Sequence, residues 1–340
     1  MTYSKTSQRT SMLDTPAYTT VSPINIKGRQ GQRLMTVYRT IGCTYDKDSK
    51  GCTMCDFAAY ADPRTTSEHI IKQHSQPLET LTNMEYIHYD LLTLGNFYND
   101  KEITPELRAY MLKSLSAIPE LKRVLTESRR QHLTEEKLRT AKECLRSDQT
   151  LEFALGYESV DPYIRNTILN KGTPEKHLDE SLQICKQAGV DFVSYVLIKP
   201  HTLTERQGIK EAVDTAIHVL SKAEQYGVYA RIAFEPVFVT KGKIIEDLWR
   251  NGEYVPPKLW SVAQVIIETA ERLGVENTKG RLFVGLSDEN LSEKRMTANC
   301  GTCDYTVRKV IQDFNGHQQI GELKKLDHSC KAQWKQDIGE

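Results

Sequence analysis

From residue 33 to residue 239 the chain alternates strand-like apolar runs with amphipathic helical runs, and it offers six strand-like runs in all. This alternation is the strongest constraint on the fold. Strand–helix units joined by short loops bury their apolar faces best as a parallel sheet with helices packed outside. The strand-like runs fall at 33–40, 86–94, 121–127, 151–157, 191–198 and 228–239, with helical runs at 104–118, 134–145, 174–188 and 204–225. Thr104 ahead of Pro105 has the character of an N-cap followed by a first-turn proline, and Gly189 and Gly227 stand where helices stop. The expected fold class is therefore α/β, a partial, TIM-like (β/α)6 barrel. Beyond 240 the pattern changes to helices at 243–251 and 259–273, separated by Tyr254-Val255-Pro256-Pro257, and a short strand at 282–286. We expect three segments: 1–31, polar and rich in Ser and Thr, as a flexible lead-in; 32–240 as the core barrel; and 241–340 as an extension that closes its side.

Composition narrows the possible partners. Lys+Arg and Asp+Glu balance at 45 each, so the totals carry no nucleic-acid footprint, although a local basic patch can hide in a neutral sum. No apolar run is long enough to span a bilayer, and residues 1–31 lack the apolar core of a secretory signal. The expected location is cytoplasmic, with no membrane partner. Clustered cysteines in such a chain point to metal or redox chemistry rather than disulfides. Cys144 and Cys185, alone within helical runs, read as small buried apolar residues.

Eight residues separate Cys43 from Cys52, and two separate Cys52 from Cys55. Three thiolates without a nearby fourth suit a [4Fe–4S] cluster with one iron open to another ligand. The competing reading is a zinc finger, because Cys52, Cys55, His69 and His74 have C-x2-C-x13-H-x4-H spacing. It leaves Cys43 unexplained and puts Thr65-Thr66-Ser67 where a finger needs an apolar residue. Cys300, Cys303 and Cys330 form a second group, a candidate for zinc with His328 as fourth ligand or for an auxiliary cluster. In parallel barrels chemistry gathers where strands end. Here those ends carry Cys43, Gly95, Glu127-Ser128-Arg129, Glu158 and Lys199.

A strand, a three-cysteine loop and a six-unit barrel together resemble the radical S-adenosylmethionine (SAM) superfamily. The long first cysteine interval is similar to the branch containing the elongator catalytic subunit. Within it, the chain most resembles the archaeosine synthase radical SAM subunit family. The resemblance spans nearly the whole chain. Its most specific segment is Gly51-Cys52-Thr53-Met54-Cys55. Others follow in the family's order: Thr126-Glu127-Ser128-Arg129, Leu155-Gly156-Tyr157-Glu158, Leu169-Asn170-Lys171-Gly172, Leu197-Ile198-Lys199-Pro200, Phe234-Glu235-Pro236, and Asn299-Cys300 with Cys303-Asp304. The chain departs from the family's usual sequence at Leu94-Gly95-Asn96-Phe97-Tyr98-Asn99, at Arg130 and at His201-Thr202.

The resemblance implies a [4Fe–4S] cluster on Cys43, Cys52 and Cys55 and SAM as cofactor. It implies reductive cleavage of SAM to a 5′-deoxyadenosyl radical that abstracts hydrogen, a one-electron reductant, and a tRNA-guanine transglycosylase-like partner subunit. The family's reaction cleaves a lysine C–N bond on a 7-deazaguanine nucleoside of tRNA. SAM is expected against Gly95, Asn96, Glu127, Arg129 and Glu158, with Arg129 holding its carboxylate as a charge-assisted fork. Each has a plainer alternative: a turn at Gly95-Asn96, and an ion pair from Glu158 to Arg165 or Lys199. If RNA is the substrate, Lys171, Lys199, Arg206, Lys241 and Lys243 are the candidates to meet phosphate. The alternatives are a radical SAM enzyme acting on a small molecule or peptide, and a non-enzymatic zinc-binding module.

Overall fold

The computed structural model describes residues 12–81, 84–275, 278–286 and 295–339. Its strands form one sheet in sequence order: β1 (Tyr18–Ile26), β2 (Arg29–Tyr38), β3 (Ile87–Thr93), β4 (Leu121–Glu127), β5 (Thr150–Glu158), β6 (Asp191–Ile198), β7 (Ala230–Pro236) and β8 (Leu282–Val284). β1 pairs antiparallel with β2, and every later neighbour is parallel. Short helices α1 (Thr44–Ser49) and α2 (Phe57–Tyr60) lie in the cysteine loop, and α3 (Ser67–Leu81) leads to β3. The outer layer continues with α4 (Pro105–Ser116), α5 (Glu135–Glu143), α6 (Lys176–Ala188) and α7 (Glu205–Tyr226). The extension adds α8 (Ile244–Arg250), α9 (Leu259–Arg272), α10 (Asp304–His317), α11 (Gly321–Lys325) and α12 (Ser329–Ile338).

The expected α/β barrel is present, and its local signals act as read. Thr104 caps α4 by accepting from Leu107 N, with Pro105 in the first turn. Gly189 and Gly227 end α6 and α7 in left-handed conformations, and a capping box of Thr204 and Gln207, not read from the sequence, starts α7. Cys185 is fully buried between sheet and helices, and Cys144 packs at the edge of the same core.

Two features differ from the expectation. The lead-in to residue 31 is not flexible throughout: residues 18–26 form β1 and turn through Lys27 and Gly28, both at positive φ, into β2. The Thr-Thr-Val and Ile-Asn-Ile steps of β1 place Ile24 and Ile26 inside the barrel, and this burial outweighs the segment's polar average. Residues 1–11 lie outside the described residues. The sheet also crosses the boundary expected at 240, because β8 comes from the extension. Between β8 and β1 the wall is completed by α10, whose Gly316 carbonyl accepts from Asn25 Nδ2 at 3.0 Å.

The barrel interior is organised in layers. Met35, Leu92, Leu125, Ala154, Val193, Ala233 and Phe283, one from each of β2 to β8, meet Ile24 and Ile26 of β1 in a single apolar cluster. Two residues earlier on successive strands, the same face presents Arg33, Asp90, Arg123, Glu152, Asp191 and Arg231. These charges pair. Arg33 Nε lies 2.5 Å from Asp90 Oδ2. Glu152 accepts from Arg123 Nη2 at 2.9 Å and from Arg231 Nε and Nη2 at 2.9 and 2.7 Å. Arg123 also bonds Asp191. Burial opposes the Glu152 charge, but Arg123 and Arg231 outweigh it and hold the carboxyl well below the usual carboxylate range.

Replacing Glu152 by Ala leaves two buried guanidiniums without their shared partner. The expected loss is about 3–5 kcal/mol of unfolding free energy. Urea or guanidinium titration of the two proteins measures it; a loss below about 1 kcal/mol would mean that water or Asp191 replaces the pairing.

Candidate active site at the strand C-terminal ends

Two residues beyond the apolar ring, the inward face presents Glu127, Gly156, Tyr195 and Glu235 on successive strands, with Gly285 just past β8. Above them opens a cavity of about 700 Å³, a size usual for small-molecule and cofactor sites. Cys43, Cys52, Cys55, Gly95, Asn96, Glu127, Arg129 and Glu158 all line it. Every candidate residue of the first cysteine group and of the SAM set is thus brought to one space, although they come from the cysteine loop and from three different strand ends.

The cysteine loop is held from outside by the Leu169-Asn170-Lys171-Gly172 segment. Asn170 Nδ2 donates to Gly51 O at 2.7 Å and to Ser49 O at 3.1 Å, and Tyr45 Oη donates back to Asn170 O at 2.9 Å. Thr53 adds bonds from its backbone N to Leu169 O and from its hydroxyl to Ile168 O, both 3.1 Å. Asn170 takes a left-handed conformation that its short side chain tolerates. This short segment is therefore the anchor of the cysteine loop. It follows a single π-helical turn, Ile164–Ile168, on which buried Arg165 donates to the Ser159 and Thr173 carbonyls.

Cys43 is fixed by a second device. Glu102, buried beyond the end of β3, accepts from Thr44 N and Thr44 Oγ1 at 2.9 Å, from Asn96 Nδ2 at 3.0 Å and from Asn99 Nδ2 at 2.8 Å. Its other oxygen accepts from Asn96 N at 2.5 Å. This carboxylate ties the residue after Cys43 to the turn after β3. Gly95 is required there, since a Cβ would strike Glu102 Oε2 and crowd Cys43 Cα. The sequence signal was the Asn96, Asn99, Glu102 spacing in a turn, which only the contact with Thr44 makes meaningful.

Side-chain N–H donors near the thiols include Asn96 Nδ2, 3.5 Å from Cys43 Sγ, and Arg129 Nη1, 4.0 Å from Cys52 Sγ, and backbone N–H groups of the loop add to them. The Arg129 guanidinium stacks on Tyr45 at 3.6 Å and donates to Lys171 O at 2.5 Å. Glu158 sits at positive φ, where β5 bulges against β6. Its partner is Lys171, 2.7 Å away, and not Arg165 or Lys199. Gly156 makes room for that pair, because a Cβ there would collide with both Lys171 Nζ and Glu158 Oε1. Glu127 is buried with Oε1 unpartnered. Burial pushes its carboxyl up to about 8, and the Tyr195 hydroxyl only partly offsets this. Burial also raises the Cys43 and Cys55 thiols above their usual range. One buried and two half-buried thiols, amide donors and an orphaned carboxyl around one space suit a cationic metal centre with a zwitterionic ligand beside it, so the donor set fits the implied cofactors.

Other expectations resolve differently. His74 is buried on α3, its Nδ1 2.6 Å from Tyr38 Oη and its Nε2 2.7 Å from Ser114 Oγ. Both ring nitrogens are engaged, so the zinc-finger reading of Cys52, Cys55, His69 and His74 fails. Lys199, at positive φ after β6, pairs with Glu205 at 2.6 Å and Val255 O at 2.8 Å and does not line the cavity. Lys243 pairs with Asp46 at 2.7 Å. With Lys171 bound to Glu158, three of the five candidate phosphate-binding cations are already neutralised within the fold. Cys300, Cys303 and Cys330 lie outside the cavity, at the start of α10 and α12.

No family model matches the chain. Three relatives align along most of it. An uncharacterized protein of Methanocaldococcus jannaschii is 28% identical over 311 residues, 89% of this chain and 81% of its own. A Methanosarcina acetivorans protein named archaeosine synthase subunit beta is 27% identical over 91% of this chain and 86% of its own. Its Thermococcus kodakarensis namesake is 28% identical over 91% and 93%. Among solved structures, the archaeal Elp3 of Methanocaldococcus infernus matches 72% of this chain and 59% of its own, with 11% identity and a TM-score of 0.47. The resemblance expected from the sequence is borne out by these relatives, and with it the expectation of an enzyme. Among the described residues, no helix is long and apolar enough to cross a membrane.

The raised Glu127 carboxyl has a measurable consequence. A carboxyl near 4.3 when unfolded and near 8 when folded binds more protons in the folded state. Its stabilising effect is full below the unfolded value and is lost as pH rises through the folded one. Glu127→Gln should therefore remove a decline in stability between about pH 4.5 and 8. The difference in unfolding free energy between parent and variant, followed across that window, measures it; a pH-independent difference would mean that Glu127 is ionised in the fold.

Proposed function

We propose that this chain is a radical SAM enzyme of the archaeosine synthase type. In this reading Cys43, Cys52 and Cys55 hold a [4Fe–4S] cluster, and SAM lies against Gly95, Asn96, Glu127, Arg129 and Glu158. The observation that supports it most is the meeting of all eight residues in one cavity at the C-terminal ends of parallel strands. When bound, such a cluster supplies the electron that cleaves SAM reductively.

The chain's own residues bind, orient and hold protons. Asn96 and Arg129 offer N–H groups toward the Cys43 and Cys52 sulfurs and disperse thiolate charge. Arg129, stacked on Tyr45 and bonded to the Lys171 carbonyl, is a guanidinium of fixed orientation for the SAM carboxylate. Glu158, ion-paired with Lys171, offers a carboxylate oxygen to the SAM amine or ribose. Glu127, held protonated near neutral pH, can donate a hydrogen bond that an ionised carboxylate cannot.

The substrate in this reading is the lysine-bearing 7-deazaguanine nucleoside of tRNA, cleaved at a lysine C–N bond. The names of the two archaeosine synthase relatives support it, and the word subunit in those names supports a partner chain. We place a tRNA-guanine transglycosylase-like subunit there, together with a one-electron reductant, in the cytoplasm. A second reading, a small-molecule or peptide substrate, is favoured by the engagement of Lys171, Lys199 and Lys243 in internal ion pairs.

Anaerobic reconstitution with iron and sulfide, followed by SAM and reductant, tests the chemistry. The parent should release 5′-deoxyadenosine, and Cys43→Ala, Cys52→Ala or Cys55→Ala should each reduce it to background. A cluster-free parent, or full product from any of these variants, defeats the reading. Glu158→Gln should weaken SAM binding about 10- to 100-fold, as expected for one hydrogen bond to a charged group, while iron and sulfide content stay at the parent level. Modified tRNA and free lysine derivatives, supplied in parallel, separate the two substrates.

A further inference from the structure

Away from the cavity, the extension brings four ligating side chains to one point. Cys300 and Cys303 occupy the turn before α10, and His328 and Cys330 begin α12. Cys303 Sγ lies 3.7 Å from Cys300 Sγ and 3.7 Å from Cys330 Sγ. His328 Nδ1 lies 3.8 Å from Cys300 Sγ and 3.2 Å from Cys330 Sγ. All four ligand atoms fall within 4.8 Å of one another.

These separations discriminate among the chemistries open to three thiols and an imidazole. A disulfide needs its sulfurs about 2.05 Å apart, and none of these pairs approaches that. A cluster spreads its cysteines over several irons, so their sulfurs stand wider apart than those sharing one ion. A tetrahedral ion with Zn–S of about 2.3 Å and Zn–N of about 2.0–2.1 Å places its sulfurs about 3.8 Å apart and its nitrogen about 3.6 Å from each. The four edges above, 3.2–3.8 Å, are close to that single-ion geometry, and the other two lie within 4.8 Å.

We propose that Cys300, Cys303, His328 and Cys330 bind one Zn²⁺. Four protein ligands make the site closed and structural rather than catalytic. Its surroundings suit ionised sulfur: Trp260 Nε1 donates to Cys330 Sγ at 3.3 Å, and Asn299 Nδ2 to Cys303 Sγ at 3.4 Å. Trp260 and Ser261 belong to α9, and Trp334 of α12 donates to Ser261 Oγ at 2.9 Å. The ion therefore ties α9, α10 and α12 together. Cys303 immediately precedes α10, whose Tyr305, Arg308, Lys309 and Gln312 line the mouth of the cavity. Zinc fixes the position of that wall.

The test uses the full chain carrying Cys43→Ala, Cys52→Ala and Cys55→Ala, so that iron in the first loop is not counted. Elemental analysis of protein purified without added metal should find about one zinc per chain, with X-ray absorption giving three sulfurs near about 2.3 Å and one nitrogen. Cys300→Ser and His328→Ala, made separately in this background, should each lower zinc retention against a chelator at least tenfold. Chelation of the starting protein should lower its melting temperature. A folded chain, by circular dichroism, that holds no zinc overturns the proposal. So does iron with acid-labile sulfide in its place, or zinc retention unchanged in both variants. Should Cys300→Ser fail to fold, His328→Ala and the absorption spectrum of the starting protein decide.

Discussion

A ring of apolar side chains, one from each parallel strand, sets the terms for the rest of the molecule. Side chains on a strand alternate faces with a period of two, so fixing Met35, Leu92, Leu125, Ala154, Val193, Ala233 and Phe283 inside the barrel fixes what lies two residues below and above. Below stand Arg33, Asp90, Arg123, Glu152, Asp191 and Arg231, buried charges that are tolerable only because they pair. Above stand Glu127, Gly156, Tyr195 and Glu235, which meet the cavity. The ring separates a floor of paired charge from the cavity, and a one-residue slip of any strand would exchange both faces at once.

The site is built by anchoring a loop to that frame. The cysteine loop contains only two short helices and no strand, so its own backbone cannot hold three thiols together. Asn170 and Thr53 fasten it on one side, and Glu102 fastens Cys43 on the other. The polar groups that hold the loop are largely satisfied. Among the buried polar atoms without a partner, Glu127 Oε1 and Arg129 Nε stand beside the cavity, where a ligand could complete their hydrogen bonding.

Charge is allotted in the same way. The balanced totals conceal extensive internal pairing, and lysines that read as surface cations are consumed by it: Lys171 by Glu158, Lys199 by Glu205 and Lys243 by Asp46. α10 adds Arg308 and Lys309 to the cavity lining, and these too are engaged, Lys309 with Asp313 and Arg308 with the Thr297 carbonyl.

The strand–helix alternation, the cap at Thr104, the stops at Gly189 and Gly227, and the two cysteine groups as sets of ligand types are legible in the linear chain. These are local properties: periodicity, capping chemistry and spacing act within a few residues. The sequence did not determine that β1 joins the sheet, because the benefit of burying Ile24 and Ile26 exists only when seven other strands enclose them. Nor did it determine that Glu158 meets Lys171, that Glu102 holds Cys43, or that His328 stands beside Cys300. Those pairings span from 13 to 58 positions of chain. They depend on strand register, on the bulge at Glu158 and on the path of the extension, and only the tertiary structure fixes these, because a contact between distant residues gains its energy after the intervening chain has been ordered.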